Sequence, residues 1–256
     1  MSSYTGKHAE YYDIFYAEKP YAAEAAFVHA CLQQHASGTS RRLLELACGS
    51  GRHALELEKL GYQIVATDYS EDLLTVARRK AAAANSKVDF LLQDMRHLDV
   101  DGGPFDAAYC LFDSIGYVQT NAAVLQVLQG VARHLRAGGL FVFEFWHAAA
   151  MLRGYEPHRE RSWTQGETRI QRTSRTRLDV ASQLAEVGYT IVADGPEGRV
   201  ELSETQVNRY FLVQEMAAFL ESSGFEPVEF LPAYETDAAI TEDTWHILAV
   251  ARKVAA

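Results

Sequence analysis

Metal-ligand spacing is missing from this chain of 256 residues: its nine histidines are scattered, with no C-x-x-C or H-x-x-x-H pair, so no metal is expected. Cysteine is scarce. Cys31, Cys48 and Cys110 are odd in number and far apart, which excludes a disulfide framework and reads as reduced, buried thiols of a cytoplasmic protein. Long apolar runs are lacking too. The opening MSSYTGKHAEYYDIF has no continuous apolar stretch, and GGLFVFEFWHAAAML is interrupted by Glu144 and His147, so neither a signal peptide nor a membrane partner is expected. Surplus positive charge is absent: the net charge of −10 disfavours nucleic acid and points to a small-molecule partner. There is no internal repeat and no low-complexity linker. What remains, 48% hydrophobic and 23% charged residues, is ordinary globular material, enough for one large α/β domain or one domain with an insertion.

Within that material one stretch carries most of the information. In LLELACGSG, residues 43–51, an apolar run reads as a buried parallel strand, Gly49 and Gly51 let the backbone turn and approach a ligand, and Arg52 opens a helix. Gly49, Gly51 and Ala54 also satisfy the weak G-x-G-x-x-G/A dinucleotide pattern. Glu45, just before the glycines, argues otherwise, because a carboxylate there repels pyrophosphate and attracts an ammonium group. Two more carboxylates close strands: Asp68 ends YQIVATD and Asp94 ends VDFLLQD.

These residues resemble those of the class I S-adenosylmethionine-dependent methyltransferases, over nearly the whole chain. The resemblance implies S-adenosyl-L-methionine as cofactor and S-adenosyl-L-homocysteine as product. It implies that Glu45, Ala47, Gly49 and Gly51 wrap the methionine moiety, that Asp68 accepts the ribose hydroxyls, and that Asp94 with Met95 reads the adenine. Tyr12, Tyr16, Tyr21, Tyr69 and Leu111 complete the implied cofactor set. Each role suits its chemistry, since hydroxyls and an exocyclic amine are donors and a carboxylate accepts. The rival readings are an NAD-dependent oxidoreductase, which leaves Glu45 and Asp94 unexplained and lacks a Tyr-x-x-x-Lys pair, and a non-catalytic module that only binds the cofactor.

The spacing predicts helices over 6–17 and 20–36, then strands over 42–47, 62–67, 88–92, 105–111 and 139–146 alternating with helices over 52–60, 70–84 and 121–135. Gly138 and Gly139 read as the stop of the last of these helices. Residues 160–211 read as β, with DGPEG at 194–198 as a hairpin bend; a helix over 213–223 and the strands FEPVEFL and WHILAVARK follow. The expected fold is α/β: a Rossmann-like, doubly wound, mostly parallel seven-stranded sheet with an antiparallel β insertion before the last helix. Its expected parts are a helical lid (1–40), the cofactor core (41–150), the insertion as substrate cap or oligomer contact (151–212), and the completion of the sheet (213–256), with a homodimer as the candidate assembly.

Ligands of open parallel sheets bind beyond the carboxyl ends of the strands. That rule selects Asp113, Ser114 and Tyr117 after the fourth strand and Glu144, Trp146 and His147 at the end of the fifth. The candidate catalytic set is Tyr16, Asp113, Tyr117 and His147: Asp113 or His147 as base, Tyr16 and Tyr117 to orient the acceptor, an N or O atom of a small molecule. YYDIFY, CLFDSIGYV, RHLRAGGLFVFEFW and the β insertion resemble sugar N-methyltransferases that act on nucleotide-linked aminosugars, whereas DSIGY and RYFLVQEMAAFLESSGFE resemble a broader group of small-molecule methyltransferases. No N-P-P-Y-like motif of the DNA adenine or protein glutamine type is present. The insertion holds Arg159, Arg161, Arg169, Arg172, Arg175 and Arg177, of which Arg169, Arg175 and Arg177 would share one strand face, set either to hold a phosphate or carboxylate or to face solvent.

Overall fold

The computed structural model describes residues 6–196 and 198–254. Residues 1–5 of the expected lid, Glu197 of the DGPEG bend and the last two residues lie outside the described residues. In chain order the elements are α1 (Lys7–Phe15), α2 (Tyr21–His35), β1 (Arg42–Glu45), α3 (Arg52–Lys59), β2 (Gln63–Asp68), α4 (Glu71–Ala84), β3 (Asp89–Leu92), β4 (Phe105–Cys110), α5 (Asn121–His134), β5 (Leu135–Trp146), α6 (Ala148–Gly154), β6 (His158–Gln165), β7 (Thr168–Asp179), β8 (Leu184–Gly195), β9 (Gly198–Arg209), α7 (Val213–Ser222), β10 (Phe225–Pro232) and β11 (His246–Lys253).

Local chemistry sets the helix ends. Ser70 caps α4 by accepting from Leu73 N, with Glu71 and Asp72 in the first turn where the helix dipole favours them, and Asn85 closes it in the left-handed conformation. Thr120 caps α5, whose stripe of Val124, Val127, Leu128 and Val131 is buried. One boundary differs from expectation. Gly138 and Gly139 do not stop α5, which ends at His134; they lie inside β5, where the pairing with β4 shifts register between Phe105 and Ala107. A β-carbon on Gly139 would meet the Asp106 carbonyl oxygen at 3.0 Å, so the glycine serves a close approach of strands.

The main sheet has seven strands in the order β10-β11-β5-β4-β1-β2-β3. β1 to β5 run parallel, and β11 pairs antiparallel with both β5 and β10. Apolar cores cover both faces: Phe141, Phe143 and Phe145 with Phe211 and Phe225 on one, and Leu43, Leu140 and Val142 with α2 and α3 on the other. Truncating any of these buried phenylalanines to alanine costs roughly 3 to 5 kcal/mol. The second sheet, β6-β7-β8-β9, is antiparallel throughout. It meets the rest in part through α1, where Phe15 packs on Trp163 at 4.9 Å and on Ile170, Ile191 and Ala193, and in part through Ala185 and Tyr210 against Ala148 and Met151 of α6. The short α6 had no predicted counterpart.

Candidate active site

The glycine loop holds three left-handed residues in five: Ala47 (φ 51°), Gly49 (φ 56°) and Gly51 (φ 76°). Their tasks differ. Gly49 faces Tyr12, whose hydroxyl would lie 3.5 Å from a β-carbon placed there. A β-carbon on Gly51 would fall 2.7 Å from the Phe90 ring, so this glycine lets α3 start against β3. Ala47 lines the cavity in a conformation that alanine rarely adopts, which no sequence rule announces.

Asp68 ties the end of β2 to that loop. Its Oδ2 accepts from Gly49 N at 2.7 Å and its Oδ1 from Ser70 N at 2.8 Å, while burial pushes its carboxyl up to about 6 against the pull of those backbone donors. Glu45 is 2% exposed and its Oε2 has no hydrogen-bond partner. Burial pushes the Glu45 carboxyl up to about 8. It opens on a small recess that Tyr21, Arg52 and Leu111 also line, beside the main cavity rather than in it. The Arg52 guanidinium lies 4.1 Å from the centre of the Tyr21 ring. An orphaned carboxylate oxygen and a cation thus meet in one recess, a donor set suited to an α-amino acid group, with its ammonium and its carboxylate.

The main cavity, of about 720 Å³, runs from Asp68, Tyr69, Asp94 and Met95 past Tyr12 and Tyr16 to the second sheet. Asp94 caps a 3-10 turn over Met95–His97 and is held by Arg96, whose Nε lies 2.9 Å from Oδ2; that guanidinium holds the Asp94 carboxyl below its usual range. Arg96, a cavity residue that the sequence reading missed, shares this end.

Three adjacent strands build the opposite floor. Asp113 follows β4 with φ 54°, Glu144 lies near the end of β5, and His246 begins β11. His246 Nδ1 lies 2.9 Å from Asp113 Oδ2 and 3.1 Å from Glu144 Oε1. Glu144 Oε2 accepts from Phe112 N at 2.9 Å and from the Tyr234 hydroxyl at 2.7 Å. Asp113 Oδ1 is buried without a hydrogen-bond partner. Burial, then the Glu144 charge, pushes the Asp113 carboxyl up to about 6, and Asp113 in turn lifts His246 to about 11, so the imidazole carries its proton. These three side chains are the one group of metal-type donors among the described residues, all within 4.8 Å of one another. Their positions, 113, 144 and 246, form no ligand spacing.

His147 is not part of this floor. Side chains alternate along a strand, so Trp146 faces the cavity and His147 faces the other way, its Nδ1 on the Thr244 carbonyl oxygen at 3.0 Å. His246, opposite Trp146 in register, stands where His147 was expected.

The second sheet closes the far wall. Tyr117 donates to Gln206 Oε1 at 3.2 Å. The arginines of the second sheet at the cavity are Arg159, Arg161 and Arg172; Arg169, Arg175 and Arg177, for which the sequence left an anion site or a solvent face open, are not among its lining residues. The same alternation explains this: Arg161 pairs with Arg172 across the ladder, while Arg177 points outward to Glu186 at 2.9 Å. The Arg172 guanidinium sits 4.6 Å from the Phe15 ring centre and within 5.7 Å of those of Tyr16, Trp163 and Tyr189. A clasp fixes α1 over the cavity: Lys80 Nζ donates to Asp13 Oδ1 at 2.7 Å and to Ser50 Oγ at 2.8 Å, and Ser50 Oγ donates to Asp13 at 2.7 Å.

Comparison with known proteins agrees with this architecture. Residues 43–139 match the family model described as a methyltransferase domain. The dTDP-3-amino-3,4,6-trideoxy-alpha-D-glucopyranose N,N-dimethyltransferase of Streptomyces venezuelae is 30% identical over 237 residues, covering 89% of this chain and 93% of that protein. A sugar N-methyltransferase from Streptoalloteichus superposes with a TM-score of 0.80 at 25% identity, covering 98% and 96%. An S-adenosylmethionine-dependent methyltransferase from Clostridium acetobutylicum superposes with a TM-score of 0.83 at 18% identity, covering 96% of both chains.

Proposed function

Because this chain belongs to the class I S-adenosylmethionine-dependent methyltransferases, we propose that it methylates an amine nitrogen of a small molecule that also carries an anionic group. The observation that carries this reading is one continuous cavity with Asp68 and Asp94 at one end, Asp113 midway, and Arg159, Arg161 and Arg172 at the other. A basic wall of that kind recognises phosphate or carboxylate, and guanidinium groups match their geometry. No ion pair joins Arg172 to an acid among the described residues, which leaves its charge for a ligand. Nucleotide-linked aminosugars join both features in one molecule, and the Streptomyces venezuelae relative is named for such a compound.

The residues present fit the cofactor. Glu45 and Arg52 would take the amine and carboxylate of its methionine part, Gly49 and Ala47 would lie along it, Asp68 would accept from the ribose, and Asp94 with Met95 would flank the adenine. When bound, S-adenosylmethionine supplies a methyl group already activated on a sulfonium. The chain therefore has to align, desolvate and deprotonate the acceptor. Tyr16, on edge to Phe112 at 4.8 Å, and Tyr117 shape the space in which the amine would sit. Residues 1–40 act as a lid on this reading, 41–150 as the cofactor core, 151–212 as the substrate cap and 213–256 as the closing strands, the cap doubling as a homodimer contact. No helix among the described residues is long and apolar enough to cross a membrane, and the proposed place of action is the cytoplasm, with no nucleic acid involved.

The test is methyl transfer from S-adenosylmethionine to dTDP-linked 3-amino and 4-amino deoxyhexoses, followed by mass spectrometry beside their hydroxyl counterparts. A gain of one or two methyl groups on the amino compounds alone is expected. Methylation confined to the hydroxyl counterparts would overturn the amine reading.

A further inference from the structure

We infer that His246 and Glu144 are positioning residues that hold Asp113 aimed as the proton acceptor for the incoming amine, an inference that rests on the amine reading above. Of the oxygens in this cluster, both of Glu144 and one of Asp113 are engaged. His246 Nδ1 is shared between two carboxylates. The acceptor left over is Asp113 Oδ1, buried in a side chain that lines the cavity. Two carboxylates and one imidazolium leave one negative charge in excess at the floor, which draws an ammonium ion rather than a neutral hydroxyl. The remaining groups facing the cluster do not cancel it: Tyr234 is a neutral donor to Glu144, the Trp146 indole is a neutral donor that lowers the Asp113 carboxyl, and Lys19, just before α2, acts on Glu144 while paired with Glu24.

The step balances simply. An N–H bond of the ammonium breaks, its electron pair stays on nitrogen, and an O–H bond forms on Asp113 Oδ1, leaving a neutral carboxyl group and a nucleophilic amine. After alkylation Asp113 returns the proton to solvent at the cavity mouth. Glu144 raises the affinity of Asp113 for that proton and His246 lowers it. The two neighbours thus act on the Asp113 carboxyl in opposite directions.

The experiment follows the Asp113 carboxyl by carbon-13 NMR in the full chain, with Asp113→Asn as assignment control, and records kcat/KM against pH for the aminosugar that turns over. His246→Gln is expected to move both the titration and the acid limb of the profile alkaline by ~1 pH unit, and Glu144→Gln to move both acid by ~1 unit. Calorimetry with S-adenosylmethionine and thermal melts check that each variant is folded. An acid limb that stays put in both variants, with turnover intact, overturns the inference and spares the amine reading. Opposite shifts in the NMR titration without turnover of any amine support the tuned carboxylate and count against the acceptor class. Zinc or manganese bound stoichiometrically by the wild type and lost in His246→Gln would overturn the proton-acceptor role.

Discussion

A β-carbon on Gly116 would lie 1.7 Å from Asn208 Oδ1 and 2.7 Å from the Arg209 carbonyl oxygen. The turn after β4 and the end of β9 therefore meet through a residue without a side chain, and the cavity wall depends on that approach. Gly116→Ala is expected to destabilise the fold by about 1 to 3 kcal/mol through overpacking. It should lower kcat/KM at least ~10-fold while S-adenosylmethionine affinity changes less than ~2-fold, because the displaced wall belongs to the acceptor side. Urea unfolding and calorimetry measure the two effects separately.

The proposed place of the cofactor's ammonium beside Glu45 predicts that cofactor binding is proton-linked. Its carboxyl is raised to about 8 by burial, so at neutral pH it is mostly protonated in the free protein. An ammonium group placed beside it restores the ionised form, and binding at pH 7 should release up to ~1 proton. Calorimetry in buffers of different ionisation enthalpy reads this directly, and Glu45→Gln should abolish it. The same shift fixes the sign for stability. The folded state binds more protons than the unfolded one between the unfolded value of 4.5 and about 8, so the stability contributed is complete below that window and is lost as pH rises through it. Glu45→Gln should flatten that part of the urea-derived stability profile.

Arg172 is held by rings rather than by an acid. Arg172→Ala should raise KM for an anionic acceptor by ~10-fold or more, with a smaller effect on kcat. Arg172→Lys should recover little of the loss, because an ammonium group neither stacks on the four rings nor offers a planar fork. Steady-state kinetics on the phosphorylated acceptor and its phosphate-free analogue would show the effect on the former alone.

The clasp of Asp13, Lys80 and Ser50 predicts a rate. Burial holds the Lys80 ammonium below its usual range, and Asp13 opposes that shift. Asp13→Asn removes the counter-charge and should speed release of bound S-adenosylhomocysteine at least ~3-fold, measured by stopped-flow displacement, with a small effect on the melting temperature.

Much of the fold is legible in sequence because it rests on local periodicity. Strand and helix alternation from Arg42 to Trp146 places Glu45, Asp68 and Asp94 at or near strand ends, and the extended texture of residues 160–211 announces the second sheet. What escapes is tertiary. The left-handed Ala47 looks like any small residue, and the approach of Phe90 that Gly51 allows leaves no trace in the motif. His246 carries no motif, since it reaches Asp113 through a sheet order in which the last strand inserts beside β5. The misplacing of His147 and the open question at the arginine trio have one cause: a period of two tells which residues share a face and not which face meets the cavity.

The strand added last, β11, does not lie at an edge but between β5 and β10. A chain cut before His246 would leave both neighbours with an unpaired edge and would take from Asp113 and Glu144 the imidazole they share, so one truncation would strike sheet and cavity floor together.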